Sequence, residues 1–288
     1  MMWSTALSTG LSLGSMYALL ALGFHITWIV SRTLNFAQGS AMMVGATLGY
    51  SLYVTFGWPL WLALPATLLC CALYGVVIER LLVRPFVARN SEAWLMATVA
   101  GGILVDNLAM FTFGKEPRQF PVTDVTFTLF GSSWSLINLL IPLTGVVMVV
   151  ALTLIRRYSR IGKVLEATVQ NPRAAQLMGI RVNTVVAVAF ALSTVFAALA
   201  GLLIAPLFSI QSDMGTLFGL KAFAVAILGG LASSSGIWVA GLLFGLSEAL
   251  VTLWFGSAFT QIFTFSLVIL ALALRPNGLF GQKLRVKV

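Results

Sequence analysis

The chain has 288 residues, of which 59% are hydrophobic and only 9% charged, and its mean hydropathy is +1.00. A soluble domain carries roughly 25% charged residues, so this composition excludes an ordinary water-soluble fold and points to a protein built into a bilayer. The net charge of +9 does not mark a nucleic-acid binder, because the basic residues sit in short segments between apolar runs and form no stripe on a soluble face.

In chain order, the apolar runs expected to cross the membrane lie at roughly 5–30, 39–56, 60–83, 93–114, 134–155, 183–206, 217–233, 236–256 and 259–274. The expected fold is an all-α polytopic bundle of eight or nine spans, forming one transmembrane domain over 1–288. The first Lys or Arg is Arg32, so no basic segment precedes the first run, which is read as a retained span and not a cleaved leader. Cys70 and Cys71 fall inside an apolar run and are read as small hydrophobes. Fourteen of the seventeen basic residues fall in segments that share one side, the 156–182 loop and the C-terminus among them. The excess of cations places that side in the cytoplasm and the N-terminus outside. The segment 115–135 is then the sizeable external loop, with a polar–apolar alternation after Val122 that suits a small hairpin or lid.

Two runs are unusually short and rich in glycine. One, from Asn35 to Tyr50, holds Gly39, Gly45 and Gly49; the other, from Gly215 to Gly236, holds Gly219, Gly229 and Gly230. Small residues four apart let helix backbones approach closely, and glycine-interrupted segments in corresponding places of two halves suggest an inverted internal repeat.

Enzyme signatures are accidental. Gly10-Leu11-Ser12-Leu13-Gly14 matches a nucleophile-elbow pattern but lies within the first span, and His25 would sit about 20 Å further along the same helix. There is no Walker-type phosphate loop, and one histidine with two cysteines offers no zinc set. Ionisable residues inside apolar runs are more informative, because burying a charge in lipid is costly. Asp106 and Glu248 fall mid-span and Lys221 near the outer end of its run, while Glu79 sits beside Arg80 as a local pair at an inner edge. Asn35 and Gln38, three residues apart, can share a helix face. For Asn35, Gln38, Asp106, Lys221 and Glu248, lining a translocation pathway stands beside a purely structural hydrogen bond or cap.

The most distinctive stretch is polar. Asn171 suits an N-cap, Pro172 the first helical position and Gly179 a stop, so a brief helix is expected between them. Within it Arg173, Ala174, Ala175 and Gln176 lead to the apolar knob of Leu177 and Met178. So short a helix needs a surface to pack on, and the knob is read as the filler of a socket on another protein.

With those residues in view, the chain resembles the permease subunits of the branched-chain, or hydrophobic, amino acid ABC importers. The resemblance rests on Gly14-Ser15-Met16-Tyr17-Ala18-Leu19, Leu34-Asn35-Phe36-Ala37-Gln38-Gly39 and Glu79-Arg80 with Arg84-Pro85. It continues through Arg157–Gly162, Asn171–Ile180, the block of Lys221-Ala222-Phe223, Leu228-Gly229-Gly230, Gly236, Gly245 and Glu248, and Arg275–Gly281. Departures occur at Gln38, commonly histidine in relatives, at Asp106, usually neutral, and at Leu231-Ala232-Ser233, and they bear on the cargo. The resemblance implies two similar permease chains, ABC ATPase subunits gripping residues 171–179, and an extracytoplasmic substrate-binding protein, with no cofactor on this chain. It further implies rigid-body alternating access, with Lys221 available to a substrate carboxylate and Asp106 or Glu248 to an ammonium. The competing expectation is a self-sufficient secondary carrier or channel for a small solute.

Overall fold

A computed structural model describes residues 2–121, 126–129, 132–274 and 278. The basic residues Arg275, Lys283, Arg285 and Lys287, and all of the C-terminal signature except Gly278, lie outside the described residues. The chain forms α1 (Met2–Ser31), α2 (Gln38–Tyr50), α3 (Leu60–Ile78), α4 (Arg84–Val87), α5 (Trp94–Thr112), a hairpin of β1 (Thr126–Leu129) and β2 (Ser132–Ser135), α6 (Leu136–Tyr158), α7 (Arg160–Gln170), α8 (Pro172–Leu177), α9 (Val182–Ile204), α10 (Met214–Gly229), α11 (Ser234–Phe255) and α12 (Ser257–Leu274). A π-helical turn at Ser51–Thr55 extends α2, and another at Glu79–Val83 joins α3 to α4. The strands are antiparallel, with Thr126 opposite Ser135 and Leu129 opposite Ser132, so the 115–135 segment does contain the small hairpin its alternation suggested.

All nine expected apolar runs are helical, but they are not alike. Among the described residues, six helical segments are long and apolar enough to cross a bilayer: Thr5–Ser31, Leu60–Val87, Trp94–Thr112, Leu136–Tyr158, Val182–Ile204 and Ser234–Phe255. The runs at 39–56, 217–233 and 259–274 form the shorter helices α2, α10 and α12. Leu69, Leu104, Phe111, Leu143 and Val147 are exposed on the outer helices, an apolar belt that suits lipid and not water.

α1 contains no Asp, Glu, Lys or Arg and is the hub, with α6, α9, α10 and α11 packed on it. Glycine makes that enclosure possible. Gly10 faces Gly245 and Gly14 faces Gly241, so α1 and α11 run antiparallel with their backbones touching. Lipid provides no hydrophobic drive between helices, and such close approach supplies van der Waals attraction in its place. On the far side α9 runs antiparallel to α3, with Thr194 donating to the Cys71 carbonyl at 2.7 Å and Phe190 against Gly75. Cys71 is buried there, while its neighbour Cys70 is exposed.

The packing pairs repeat with partners exchanged. α1 lies on α11 as α9 lies on α3; α1 lies on α10 as α9 lies on α2; α5 leans on α2 as α12 leans on α10; and α2 meets α10 at the centre. This is the pattern of two inverted halves, joined through the hairpin and α6–α8. The short helices begin inside the bundle. After α1 the chain turns at Arg32, whose φ of 56° is left-handed, and doubles back. The Gln38 side chain then reaches the Ser193 carbonyl on α9 and stands against Gly23 of α1. Gly23 lies roughly 12 Å along the axis from Ser31, so α2 starts well within the apolar layer. α10 starts beside it, because Gly39 and Gly215 are in backbone contact.

The ends of the bundle are sorted accordingly. At one end Tyr50, Phe113, Phe120 and Ile210 cluster, and Arg118 bridges to Ile210. At the other, Arg84 reaches the Asn183 carbonyl, His25 donates to the Leu231 carbonyl at 2.8 Å, and α7 packs on α1 and α9. Here the partner expected for Glu79 is corrected. Adjacent helical residues diverge, so Arg80 is not available, and the buried carboxylate takes Arg84 in a two-pronged pair at 3.0 and 2.8 Å. Replacing Arg84 with Met should strand that carboxylate and cost about 1–3 kcal/mol. Thermal melting of the detergent-solubilised protein should show the loss, and adding Glu79→Gln should restore most of it.

Candidate functional site

The polar loop folds as its punctuation demands. Ser159 caps α7, its Oγ accepting from the Gly162 N–H at 3.0 Å. Asn171 then caps α8, its Oδ1 accepting from the Ala174 N–H at 3.0 Å, with Pro172 as the first helical residue. Gly179 ends the helix with φ +83°, donating to the Gln176 carbonyl at 3.0 Å while the Ile180 N–H donates to Ala175 at 3.0 Å. Only Ala175 of α8 is buried, against the body formed by α7 and α9. Arg173, Ala174 and Gln176 are exposed, and Leu177 and Met178 are 89% and 83% exposed, the most exposed large apolar side chains among the described residues. The loop lies at the end of the bundle opposite the hairpin. It is a rigid, capped hook with an uncovered apolar tip.

The five polar residues singled out inside the bundle fall in three places. Asn35 and Gln38 are fully buried at the start of α2. Asn35 Oδ1 accepts from the Ala37 N–H at 3.1 Å, an Asx turn that reverses the chain. Gln38 Nε2 donates to the Ser193 carbonyl at 2.9 Å, and the Ser193 hydroxyl donates back to Gln38 Oε1 at 2.8 Å. This knot ties the broken helix to α9, and nothing in the sequence singled out Ser193 as its third member.

Asp106 stands half-buried on α5, where Thr216 at the start of α10 donates to its Oδ2 at 3.0 Å. It borders a cleft of about 400 Å³ shared with Asn107, Lys115 and Asp213 at the hairpin end. Lys221 and Glu248 lie elsewhere, and they lie together. Their side chains, 6% and 9% exposed, form an ion pair at 2.5 Å between α10 and α11, and Lys221 Nζ also donates to Tyr17 Oη on α1 at 3.3 Å. In the sequence they stand as separate groups, 27 positions apart. The signal that could have joined them was one cation and one anion in consecutive apolar helices, each too costly to bury alone. Tyr17 was missed altogether.

Ser12 has no nucleophile's setting. Its hydroxyl donates to the Ser8 carbonyl at 2.9 Å and the Asn138 carbonyl at 3.0 Å, which ties α1 to α6.

Residues 6–272 match the family described as branched-chain amino acid transport system / permease component. The chain is 29% identical over 296 residues to the high-affinity branched-chain amino acid transport system permease protein LivH of Escherichia coli (strain K12), covering 95% of this chain and 94% of that one. It is 30% identical over 291 residues to the corresponding protein BraD of Pseudomonas aeruginosa, covering 96% and 95%. Among solved structures, PsaBC from Streptococcus pneumoniae in complex with Fab superposes with a TM-score of 0.52 at 14% identity, covering 96% of this chain and 92% of that one, a likeness of fold.

Proposed function

Because this chain belongs to the family of permease components of branched-chain amino acid transport systems, we propose that it forms half of the pathway of an ATP-driven importer for branched-chain or related hydrophobic amino acids. The observation that carries the reading is the uncovered tip of α8. Two large apolar side chains held rigidly in water at the end of a membrane bundle need a socket, and a separate ABC ATPase subunit would provide it. Chemistry would then reside on that partner, this chain acting as a lever and not an enzyme.

In this reading the 156–182 loop is cytoplasmic, the N-terminus outside and the C-terminus inside, as the distribution of cations favours. The 115–135 segment at the opposite end faces an extracytoplasmic binding protein that delivers the solute. A second permease subunit, the same chain or a similar one, completes the pathway. The junction where α2 and α10 begin is the natural gate, because discontinuous helices place backbone and polar groups within the apolar layer. Asp106 would border the route near that junction, Lys221 and Glu248 would border it further along α10 and α11, and Asn35 with Gln38 would hold its frame. ATP-driven closure of the ATPases would pull α8 and rock the attached helices as rigid bodies.

Reconstitution tests this reading. Proteoliposomes holding the complete complex and the binding protein should accumulate L-leucine only with ATP, and liposomes holding this chain alone should accumulate none. ATP-independent uptake by the chain alone would establish a self-sufficient carrier or channel in its place.

A further inference from the structure

Two hollows lie in line between α5 and α10. The outer one is the cleft of about 400 Å³ that Asp106 borders, with Asn107 and Met110 beside it. The inner one is a smaller cavity of about 140 Å³ walled by α1, α2, α5 and α10. α5 reaches it through Val99, Gly102 and Ile103, one to two turns nearer the loop end than Asp106. Asp106 lines the outer hollow and Thr216 the inner, so the 3.0 Å hydrogen bond between their side chains is the partition.

Toward the loop end the inner cavity stops at three phenylalanine rings. Phe24 on α1, Phe36 in the turn before α2 and Phe223 on α10 all line it. Each ring meets the other two. The centroids lie 6.3 Å apart for Phe24 and Phe36, 5.7 Å for Phe24 and Phe223, and 5.1 Å for Phe36 and Phe223. The interplanar angles are 61°, 61° and 59°, so ring edges lean on ring faces and the triangle is shut. This triad caps a hollow, with the cavity on one face, where an ordinary core cluster would be filled in all round.

The rings are held differently. Phe24 belongs to the hub and is buried. Phe36 sits in the chain reversal, its N–H donating to Thr98 Oγ1 on α5 at 3.4 Å. Two residues on, Gln38 is knotted to Ser193 of α9, the helix on which α8 packs. A displacement of α8 therefore has a contiguous route to one ring of the three. Parting the rings leaves no polar group unpaired, so they can open without the penalty of breaking a buried ion pair.

We propose that Phe24, Phe36 and Phe223 form the inner gate of the translocation route, sealing the column between α5 and α10 at rest and parting when α9 carries Phe36 away. The gate deepens the importer reading above and rests on it, because that reading supplies the route and its cytoplasmic side.

The test uses the whole transporter in inside-out membrane vesicles, with Val99→Cys as a reporter in the inner cavity and Cys70→Ser to remove the exposed thiol. A charged methanethiosulfonate reagent added to the cytoplasmic face should modify the reporter slowly while the triad is intact. Phe36→Ala with Phe223→Ala removes all three ring contacts. It should speed modification about tenfold or more, the shift in an opening equilibrium that three such contacts represent. Phe218→Ala, on the same helix but against Tyr17 and Phe208, should leave the rate where it was. An unchanged rate in the double variant, or an equal rise in Phe218→Ala, overturns the proposal. Should the double variant fail to assemble, the native triad decides. With binding protein and L-leucine sealed inside the vesicles, MgATP should speed modification of the reporter, and a rate indifferent to turnover overturns the gate. L-leucine transport by the Cys70→Ser parent separates the two readings. ATP-driven transport alongside a reporter already fast at rest overturns the gate and leaves the importer reading intact; a reporter gated by ATP without transport overturns the cargo and leaves the gate standing.

Discussion

Replacing Leu177 and Met178 together with aspartate should abolish both co-purification of the ATPase subunits and ATP-dependent uptake, while the protein still inserts and folds. The second half of that expectation follows from geometry. Both side chains are almost wholly exposed, and α8 is held by its Asn171 cap, its Gly179 stop and the buried Ala175, none of which the substitutions touch. The first half follows from magnitude. A large apolar side chain contributes about 1.5–3 kcal/mol when fully buried. Two of them therefore supply about 3–6 kcal/mol, a factor of roughly 10² to 10⁴ in association. Aspartates would add the cost of desolvating charge in the same socket. Complex formation measured by size-exclusion chromatography, with Arg173→Ala as a milder neighbouring change, separates the outcomes. Retained association of the double aspartate variant would remove the tip of α8 as the coupling contact.

The second large effect concerns the hub. Gly245→Leu should destroy the packing of α1 on α11, because a Cβ at that position overlaps the Gly14 backbone and the Gly10 carbonyl. No flexible side chain is available to move aside; only two helix axes can part. Overpacking costs about 1–3 kcal/mol even where neighbours can adjust, and here the parting helices also carry Tyr17 away from Lys221 and Phe244. The expected result is aggregated or thermally fragile protein by fluorescence-detected chromatography. Leu104→Ala on the exposed face of α5 should behave as the parent does. A Gly245→Leu protein as stable as the parent would mean that α1 and α11 do not touch through their backbones.

Much of this was written plainly in the chain. The α8 hook could be read residue by residue, because caps and stops are local chemistry: Asn171, Pro172 and Gly179 act on neighbours within four positions. The short glycine-rich helices were legible as well, since Gly39, Gly45 and Gly215 have no use in a lipid-facing helix as strong as close backbone contact. What could not be read was depth. A helix that begins midway needs the same apolar composition as one that crosses, so 39–56 and 217–233 looked like spans. The hint lay in the polar turn from Thr33 to Asn35, which the bundle buries through bonds such as Asn35 to Ala37. Long-range pairing was equally hidden. Glu248 meets Lys221 across 27 positions and Gln38 meets Ser193 across 155, and no periodicity records such distances. Glu79 is different, because the rule that adjacent helical residues diverge already argued against Arg80.

Everything mechanical in this account depends on where the tip of α8 lies and what covers it. The direct measurement places a single reactive thiol there, as Met178→Cys in a Cys70→Ser background, in cells expressing the whole transporter. The account predicts that the thiol resists a membrane-impermeant reagent added outside, and cross-links to an ATPase subunit on addition of a short bifunctional reagent. Labelling from outside intact cells, or a thiol that reaches no protein in the working complex, would contradict it.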